Sequence, residues 1–162
     1  MEELHEEALE LMKSIFGLAD YYPEQIKLIR EFCLGKNVYL NAATGYGKSI
    51  IFQSFPWYYD VLNCEAIGTS TLIVITPLIS LMNDQISYLK SQTGINAVAI
   101  HADTENISEV LADVESDIYS LVYASPESML SKSRLRRMLS SSSFREHCIG
   151  VAIDEAHVIA EW

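Results

Sequence analysis

Positive charge is scarce in this sequence: 162 residues carry 11 lysines and arginines against 22 aspartates and glutamates, a formal net charge of −11. Such a surplus repels a polyanion unless the basic groups gather in one patch. On bulk charge the chain is not a nucleic-acid binder. Cysteine is also sparse. Cys33, Cys64 and Cys148 are odd in number, widely spaced and without a Cys-x-x-Cys pair, which argues against a disulfide framework and a zinc site and leaves buried free thiols as the expectation. His5, His101, His147 and His157 form no short ligand pair, so no structural metal is expected. Long apolar runs are missing too. The longest candidate, the interrupted stretch Thr71 to Met82, falls short of the roughly 18 to 20 residues that a membrane span needs. The first ten residues hold five glutamates and no lysine or arginine, unlike the basic lead and apolar middle of a secretory signal. An intracellular protein without membrane partners is expected.

With 49% hydrophobic and 20% charged residues, the chain can bury one sizeable core, the length being that of an ordinary domain. Its acid is concentrated in Glu2 to Glu10 and Asp103 to Asp117, and its base in the short cluster Lys132, Arg134, Arg136 and Arg137. That cluster reads as a solvated helix face or as a track for phosphates.

Leu4, Ala8, Leu11, Met12 and Ile15 recur at helical spacing until Gly17. Pro23 can open a second helix, with Ile26, Ile29 and Phe32 turned inward, until Gly35 and Asn37. Val38 to Leu40 reads as a short strand leading into a glycine-bearing loop, and a helical pattern resumes from Lys48 through Ile51, Phe55 and Tyr58. Within it, Trp57-Tyr58-Tyr59 reads as helix surface packed on the core rather than as a base-stacking platform. Thr71 to Ile75 is β-branched and apolar, as suits a strand covered on both faces. Alternation then continues: a helix over Ser80 to Lys90, strand 97–100, a helix near Ile107 to Asp113, strand 119–123, a helix across Arg134 to Leu139, and strand 149–153. Strand-like runs each followed by a helical stretch predict an α/β fold with an open, mostly parallel sheet. Ser140 to Ser143 reads as a solvated turn.

Two motifs carry chemistry. Ala42-Ala43-Thr44-Gly45-Tyr46-Gly47-Lys48-Ser49 has the Walker A spacing with alanine at the first glycine position. Glycines at 45 and 47 let the backbone curl so that amide N–H groups face a phosphate, and the helix N-terminus adds partial positive charge. Lys48 would meet the β- and γ-phosphates, and Ser49 offers a hydroxyl to Mg²⁺. Val151 to His157 is an apolar strand delivering Asp154 and Glu155 at its C-terminal end, where ligands of open α/β sheets bind. Asp154 can hold Mg²⁺, and Glu155 can orient and deprotonate the water attacking a γ-phosphate. Both motifs are expected to act on one triphosphate.

With these motifs in view, the chain resembles the first RecA-like lobe of a superfamily 2, DEAD/DEAH-type helicase, and more closely the RecQ family of DNA helicases. Ala42 to Ser49 matches motif I and Asp154-Glu155-Ala156-His157 motif II. Phe16-Gly17 followed by Tyr21-Tyr22-Pro23-Glu24-Gln25 is similar to motif 0, Thr76 to Gln85 to motif Ia, and Tyr123 to Glu127 to the motif that follows. Ile159-Ala160-Glu161-Trp162 resembles the start of the family's aromatic-rich loop. The resemblance implies a three-layer P-loop NTPase (RecA-like) fold, its C-terminal strands missing after motif II. Residues 1–22 would form a helix and motif 0 lead-in, and 23–162 a partial ATP-binding domain. ATP and Mg²⁺ are the implied cofactors, and single-stranded or forked DNA the implied partner. Catalysis falls to Lys48, Asp154, Glu155 and His157; nucleotide binding to Gln25, Thr44, Gly45, Tyr46, Gly47, Lys48 and Ser49; metal binding to Ser49 and Asp154; DNA contact to Thr76, Ser80, Ser125, Glu127 and Trp162. Gln25 would read the adenine edge, since a glutamine amide both accepts and donates. The family commonly has a base-stacking arginine where Tyr22 stands, and a small residue where Tyr46 stands. The implied activity is that of an ATP-binding lobe of a 3′-to-5′ DNA helicase, nuclear in a eukaryote and cytoplasmic otherwise, with little or no unwinding by these residues alone. The competing reading is a non-catalytic module that keeps the loop as scaffold and binds a protein through its acidic face.

Overall fold

The computed structural model describes residues 1–43, 45–131 and 133–156, and these divide into two compact units, Met1–Thr69 and Ser70–Trp162. In the first, α1 (Glu2–Phe16) and α2 (Pro23–Cys33) both pack on α3 (Lys48–Leu62). The apolar stripe of α1 buries Ala8, Met12 and Phe16, but also His5. Burying that ring is tolerable because its Nδ1 lies 2.8 Å from the Tyr58 hydroxyl, itself fully buried on α3. Beside them Phe32 and Phe55 stack with centroids 4.0 Å apart, and the Tyr21 hydroxyl lies 2.7 Å from Ser54 Oγ. Arg30 of α2 reaches Glu2 of α1 at 2.8 Å. Helix α3 keeps its course through Pro56, and its buried residues include Ile51, Phe52, Phe55 and Tyr58, while Trp57 and Tyr59 are half-buried. The aromatic triplet is therefore core and helix surface, as its spacing suggests.

The expected strand at Val38 to Leu40 is not formed: residues 36–43 carry neither helix nor strand, and Tyr39 is 79% exposed. A strand is stabilised by its ladder and its covered face, and this three-residue run bounded by Asn37 and Asn41 provides little of either.

The second unit holds strands β1 (Thr71–Ile75), β2 (Ala97–Ile100), β3 (Leu121–Ala124) and β4 (Cys148–Ile153). They are all parallel, in the order β2-β3-β1-β4. Helix α4 (Ile79–Tyr88), continued by a π-helical turn at Leu89–Thr93, connects β1 to β2, and α5 (Ile107–Glu115) connects β2 to β3. Three short helices, α6 (Pro126–Ser131), α7 (Ser133–Leu139) and α8 (Ser142–His147), lead into β4. On one face Ile73, Ile100, Val122 and Ala124 pack with Leu111, Val114, Leu135, Met138 and Phe144 from α5, α7 and α8. Alternation turns Tyr123 to the other face, where its hydroxyl donates to Gln85 Oε1 of α4 at 2.8 Å. Continuous apolar sequence in β1 and β3 thus reflects cover on both sides. The serine run is not a plain turn: Ser141 Oγ accepts from the Phe144 amide and caps α8. Strand β4 is less covered, with Val151 and Ile153 48% and 44% exposed. Among the described residues no helix is long and apolar enough to cross a membrane.

Burial is visible in the titrating groups. It pushes the Cys33 thiol up to about 12 and raises Cys148 as well, while Cys64, just past α3, is exposed. Burial pushes the Tyr58 hydroxyl up to about 12 too. His5 is lowered from 6.5, first by burial and then by the Arg30 charge. Because its folded value lies below its unfolded one, neutral His5 contributes stability above pH 6.5 that is lost as pH falls through the folded value. Urea midpoints should therefore drop between about pH 7.5 and about pH 5. The drop should be smaller in His5→Gln, which keeps a partner for Tyr58 without titrating; an equal drop would remove His5 as a cause.

Candidate functional site

The phosphate-loop motif lies in the first unit. Gly45 and Gly47 both adopt left-handed backbone, each with φ near 88°, a conformation that glycine reaches without strain. Between them the Tyr46 amide donates to Ala43 O at 3.2 Å, and Gly47 is the N-cap of α3, so Lys48 and Ser49 are its first two residues. A 15-residue helix begins here, with the unsatisfied N–H groups and positive dipole end that favour an anion.

The loop is held from behind by α2. Tyr22 caps that helix with Pro23 at its first position, and Gln25 Oε1 accepts from the Tyr22 amide at 2.8 Å. The same side chain donates through Nε2 to Tyr46 O at 3.2 Å and to Gly47 O at 3.3 Å. Gln25 is 5% exposed, and its amide is engaged with three backbone groups, one through Oε1 and two through Nε2. The Tyr46 ring stacks on Tyr22, centroids 5.3 Å apart and planes 24° from parallel, while Tyr22 stays 58% exposed. Sequence reasoning did not foresee that pair, though two tyrosines flanking a motif 0 glutamine and a glycine loop were the available signal.

The acidic motif lies in the second unit, on a rim set by strand register. Ile100 pairs with Ala124, Ala124 with Ile75, and Ile75 with Ile153. The next residue of each strand, His101, Ser125, Thr76 and Asp154, therefore stands in one row at the C-terminal end of the sheet. The ladder continues one step into that row: the Ser125 amide donates to Ile100 O, the Thr76 amide to Ala124 O, and the Asp154 amide to Ile75 O, at 3.2, 3.1 and 2.9 Å. Asp154 and Glu155 are half-buried. Asp154 Oδ1 accepts from the Glu155 amide at 3.1 Å, and Glu155 sits in left-handed backbone at φ 57°, an unusual conformation for a side chain of this length.

The DNA-contact set is divided. Ser80 and Glu127 are exposed near the starts of α4 and α6. Thr76 and Ser125 are 2% and 3% exposed. Ser125 Oγ donates to Ser128 Oγ at 2.9 Å, but Thr76 Oγ1 is buried with no hydrogen-bond partner among the described residues. Thr44, His157 and Trp162 lie outside the described residues.

Two left-handed glycines, a helix N-terminus and Lys48 of the first unit suit phosphate oxygens. The Ser49 hydroxyl in that unit, and separately the Asp154 carboxylate in the second, are hard oxygen donors of the kind Mg²⁺ takes. The Thr76 hydroxyl, one strand from Asp154 on that rim, is buried without a partner among the described residues.

The DEAD/DEAH box helicase family matches residues 22–162. The chain is 32% identical over 97% of its length to "ATP-dependent helicase wrn-1" of Caenorhabditis elegans, covering 14% of that protein. To "ATP-dependent DNA helicase RecQ" of Haemophilus influenzae it is 33% identical over 96% of its length, covering 23%. To the "Bifunctional 3'-5' exonuclease/ATP-dependent helicase WRN" of Mus musculus it is 36% identical over 93%, covering 10%. The chain thus spans between a tenth and a quarter of these relatives.

Three substitutions test this geometry. A Cβ on Gly47 would stand 2.8 Å from Gln25 Nε2 at φ 88°, whereas one on Gly45 would meet nothing within 4 Å. Gly45→Ala should cost about 1 kcal/mol for backbone alone and Gly47→Ala roughly 2 to 3 kcal/mol, read from denaturant midpoints; equal losses would deny the close approach. Thr76→Val should raise the thermal midpoint of the ligand-free protein, by about 1 kcal/mol of relieved burial.

Proposed function

The chain belongs to the DEAD/DEAH box helicase family, and we propose that it is the ATP-binding lobe of a RecQ-like, ATP-dependent DNA helicase that moves 3′ to 5′. The observation that carries this reading is the glycine-flanked loop opening α3 with Lys48 and Ser49, in a chain whose β4 is followed directly by Asp154-Glu155. The names of the matched relatives, ATP-dependent helicases of the RecQ and WRN kind, support it.

In this reading the loop from Thr44 to Ser49 cradles the phosphates with its amides, and Lys48 places its ammonium against the β- and γ-phosphates. Ser49 and Asp154 hold Mg²⁺, which when bound supplies positive charge that offsets the phosphate oxygens. Glu155 orients the attacking water and takes its proton, with His157 beside it in sequence. Gln25 contributes through the loop carbonyls that it holds. Ser80 and Glu127 meet DNA from the rim, Thr76 and Ser125 shape that rim from beneath, and Trp162 is a further DNA contact.

Turnover by these residues alone is slow in this proposal. An arginine aimed at the transferring phosphoryl group is worth about 10³ to 10⁵ in rate. Arg30 is engaged with Glu2, Arg134 donates to Ser108 at 2.5 Å, and Arg136, Arg137 and Arg145 belong to α7 and α8. Protein partners would meet the exposed glutamates of α1.

Titration with a fluorescent ATP analogue and Mg²⁺ tests the reading. Lys48→Ala should weaken binding about 10- to 100-fold, the worth of a charge-assisted contact. Glu155→Gln should bind as tightly as the parent but lose residual phosphate release. Binding unmoved by Lys48→Ala would overturn the ATP-lobe reading and favour the scaffold module.

A further inference from the structure

We propose that the groove between α5 and α7 is a docking site for an acidic segment of a partner protein, one that sets a large apolar side chain between two carboxylates. None of the residues that form it belongs to the phosphate loop, the acidic motif or the DNA-contact set.

The groove follows from how the two helices cover the sheet. Leu111 of α5 and Leu135 and Met138 of α7 are buried in one core, which fixes the helices side by side. Over that contact lies an open groove of about 410 Å³. Its α5 wall is Ser108, Leu111, Ala112 and Glu115, the stripe that three-to-four spacing puts on one helix face. Arg134, Arg137 and Met138 form the α7 wall with the same spacing. From Ser108 to Glu115 the groove runs roughly 10 Å, about two turns of a helical ligand. Leu111 and Met138, 7% and 5% exposed, are its floor. Ala112 is exposed and has only a methyl group, so nothing of this chain fills the space above it. A methionine in the floor adapts to the shape of what it meets.

Charge decides the occupant. The chain is at −11 overall, yet α7 carries Arg134, Arg136 and Arg137 and no acidic residue. Among the described residues no carboxylate lies within ion-pair distance of Arg134 or Arg137. Arg134 is instead turned across to α5, donating through Nη1 to Ser108 Oγ at 2.5 Å. A guanidinium held in this way keeps its other N–H groups for a carboxylate. Arg137 follows one turn later on the same wall. Two carboxylates a helical turn apart therefore meet both arginines, and an apolar side chain between them comes down on Ala112, Leu111 and Met138.

The acidic wall tells against a nucleic acid. Glu115 lines the groove, and Glu109 and Asp113 belong to the same helix. A phosphate backbone carries charge at every nucleotide and would run part of it along these carboxylates. A peptide can set its acids opposite α7 alone. The basic cluster thus suits a protein ligand better than a phosphate track.

The test uses the full chain and a fluorescein-labelled peptide of about twelve residues, two glutamates a helical turn apart with a phenylalanine between them on a neutral background, read by anisotropy. The parent should bind it, and peptides with glutamine for both glutamates or alanine for phenylalanine should each bind about tenfold more weakly. Arg137→Glu should weaken the peptide about tenfold without moving the thermal midpoint, the side chain being exposed. Arg136→Glu, the same charge change on the same helix outside the groove, should cost less than about twofold. Ala112→Trp should fill the groove and abolish binding. Equal losses from Arg136→Glu and Arg137→Glu would reduce the effect to general charge attraction and overturn the proposal. A peptide that does not bind the parent, or that ignores Ala112→Trp, would overturn it as well. Displacement of the peptide by oligodeoxythymidylate, itself weakened by Arg137→Glu, would make the groove a phosphate track instead.

Discussion

A parallel strand can bond its neighbour only if the chain returns to the same end of the sheet between them, and residues 70–153 are arranged by that requirement. Each return is made by helix, and each helix must bury a face on the sheet it has just left. Leu111, Val114, Leu135, Met138 and Phe144 meet Ile73, Ile100, Val122 and Ala124 for this reason. Because all strands run one way, their C-terminal ends fall on one rim. The register then decides which residues stand there: a shift of one residue in β4 would turn Asp154 to the opposite face and bring Ile153 or Glu155 into its place. The position of the acidic motif is thus a property of the ladder, fixed by apolar residues that have no chemistry of their own.

The first unit solves a different problem. A loop with two left-handed glycines has little to define its shape, since glycine gives up the most conformational freedom on folding. Order is imposed from outside by Gln25, on a helix that Pro23 starts and Tyr22 caps. The contact requires a hydrogen in place of a side chain at Gly47. The glycine therefore serves a close approach as well as a turn. The left-handed Glu155 is the counterpart in the second unit, where a carboxylate-bearing residue occupies backbone more comfortable for glycine.

Much of this was legible in the sequence, and the misses have physical causes. Runs such as Thr-Leu-Ile-Val-Ile announce covered parallel strands, and β1 to β4 lie within a residue or two of where patterning put them. Val38 to Leu40 failed because three apolar residues do not make a strand without a ladder. Helices α6 and α8 have only six residues each, too few for a periodicity to register; they depend on Pro126 at the start and on the Ser141 cap. His5 on an apolar stripe could not be read, because its partner Tyr58 lies 53 residues away. The motif residues were identified by type and spacing, yet the fate of the Gln25 amide depended on carbonyls 21 and 22 residues distant. Spacing reports which groups are present; only packing reports which of them are already occupied.

The cysteines have a practical corollary. Cys33 and Cys148 are half-buried and their thiols are raised by burial, whereas Cys64 is exposed just beyond the C-terminal end of α3. Thiol-directed dyes react with accessible thiolate, so the native chain, without engineering, offers one preferred attachment point. It lies roughly 22 Å along a 15-residue helix from Lys48, a separation suited to energy-transfer readings against a labelled nucleotide.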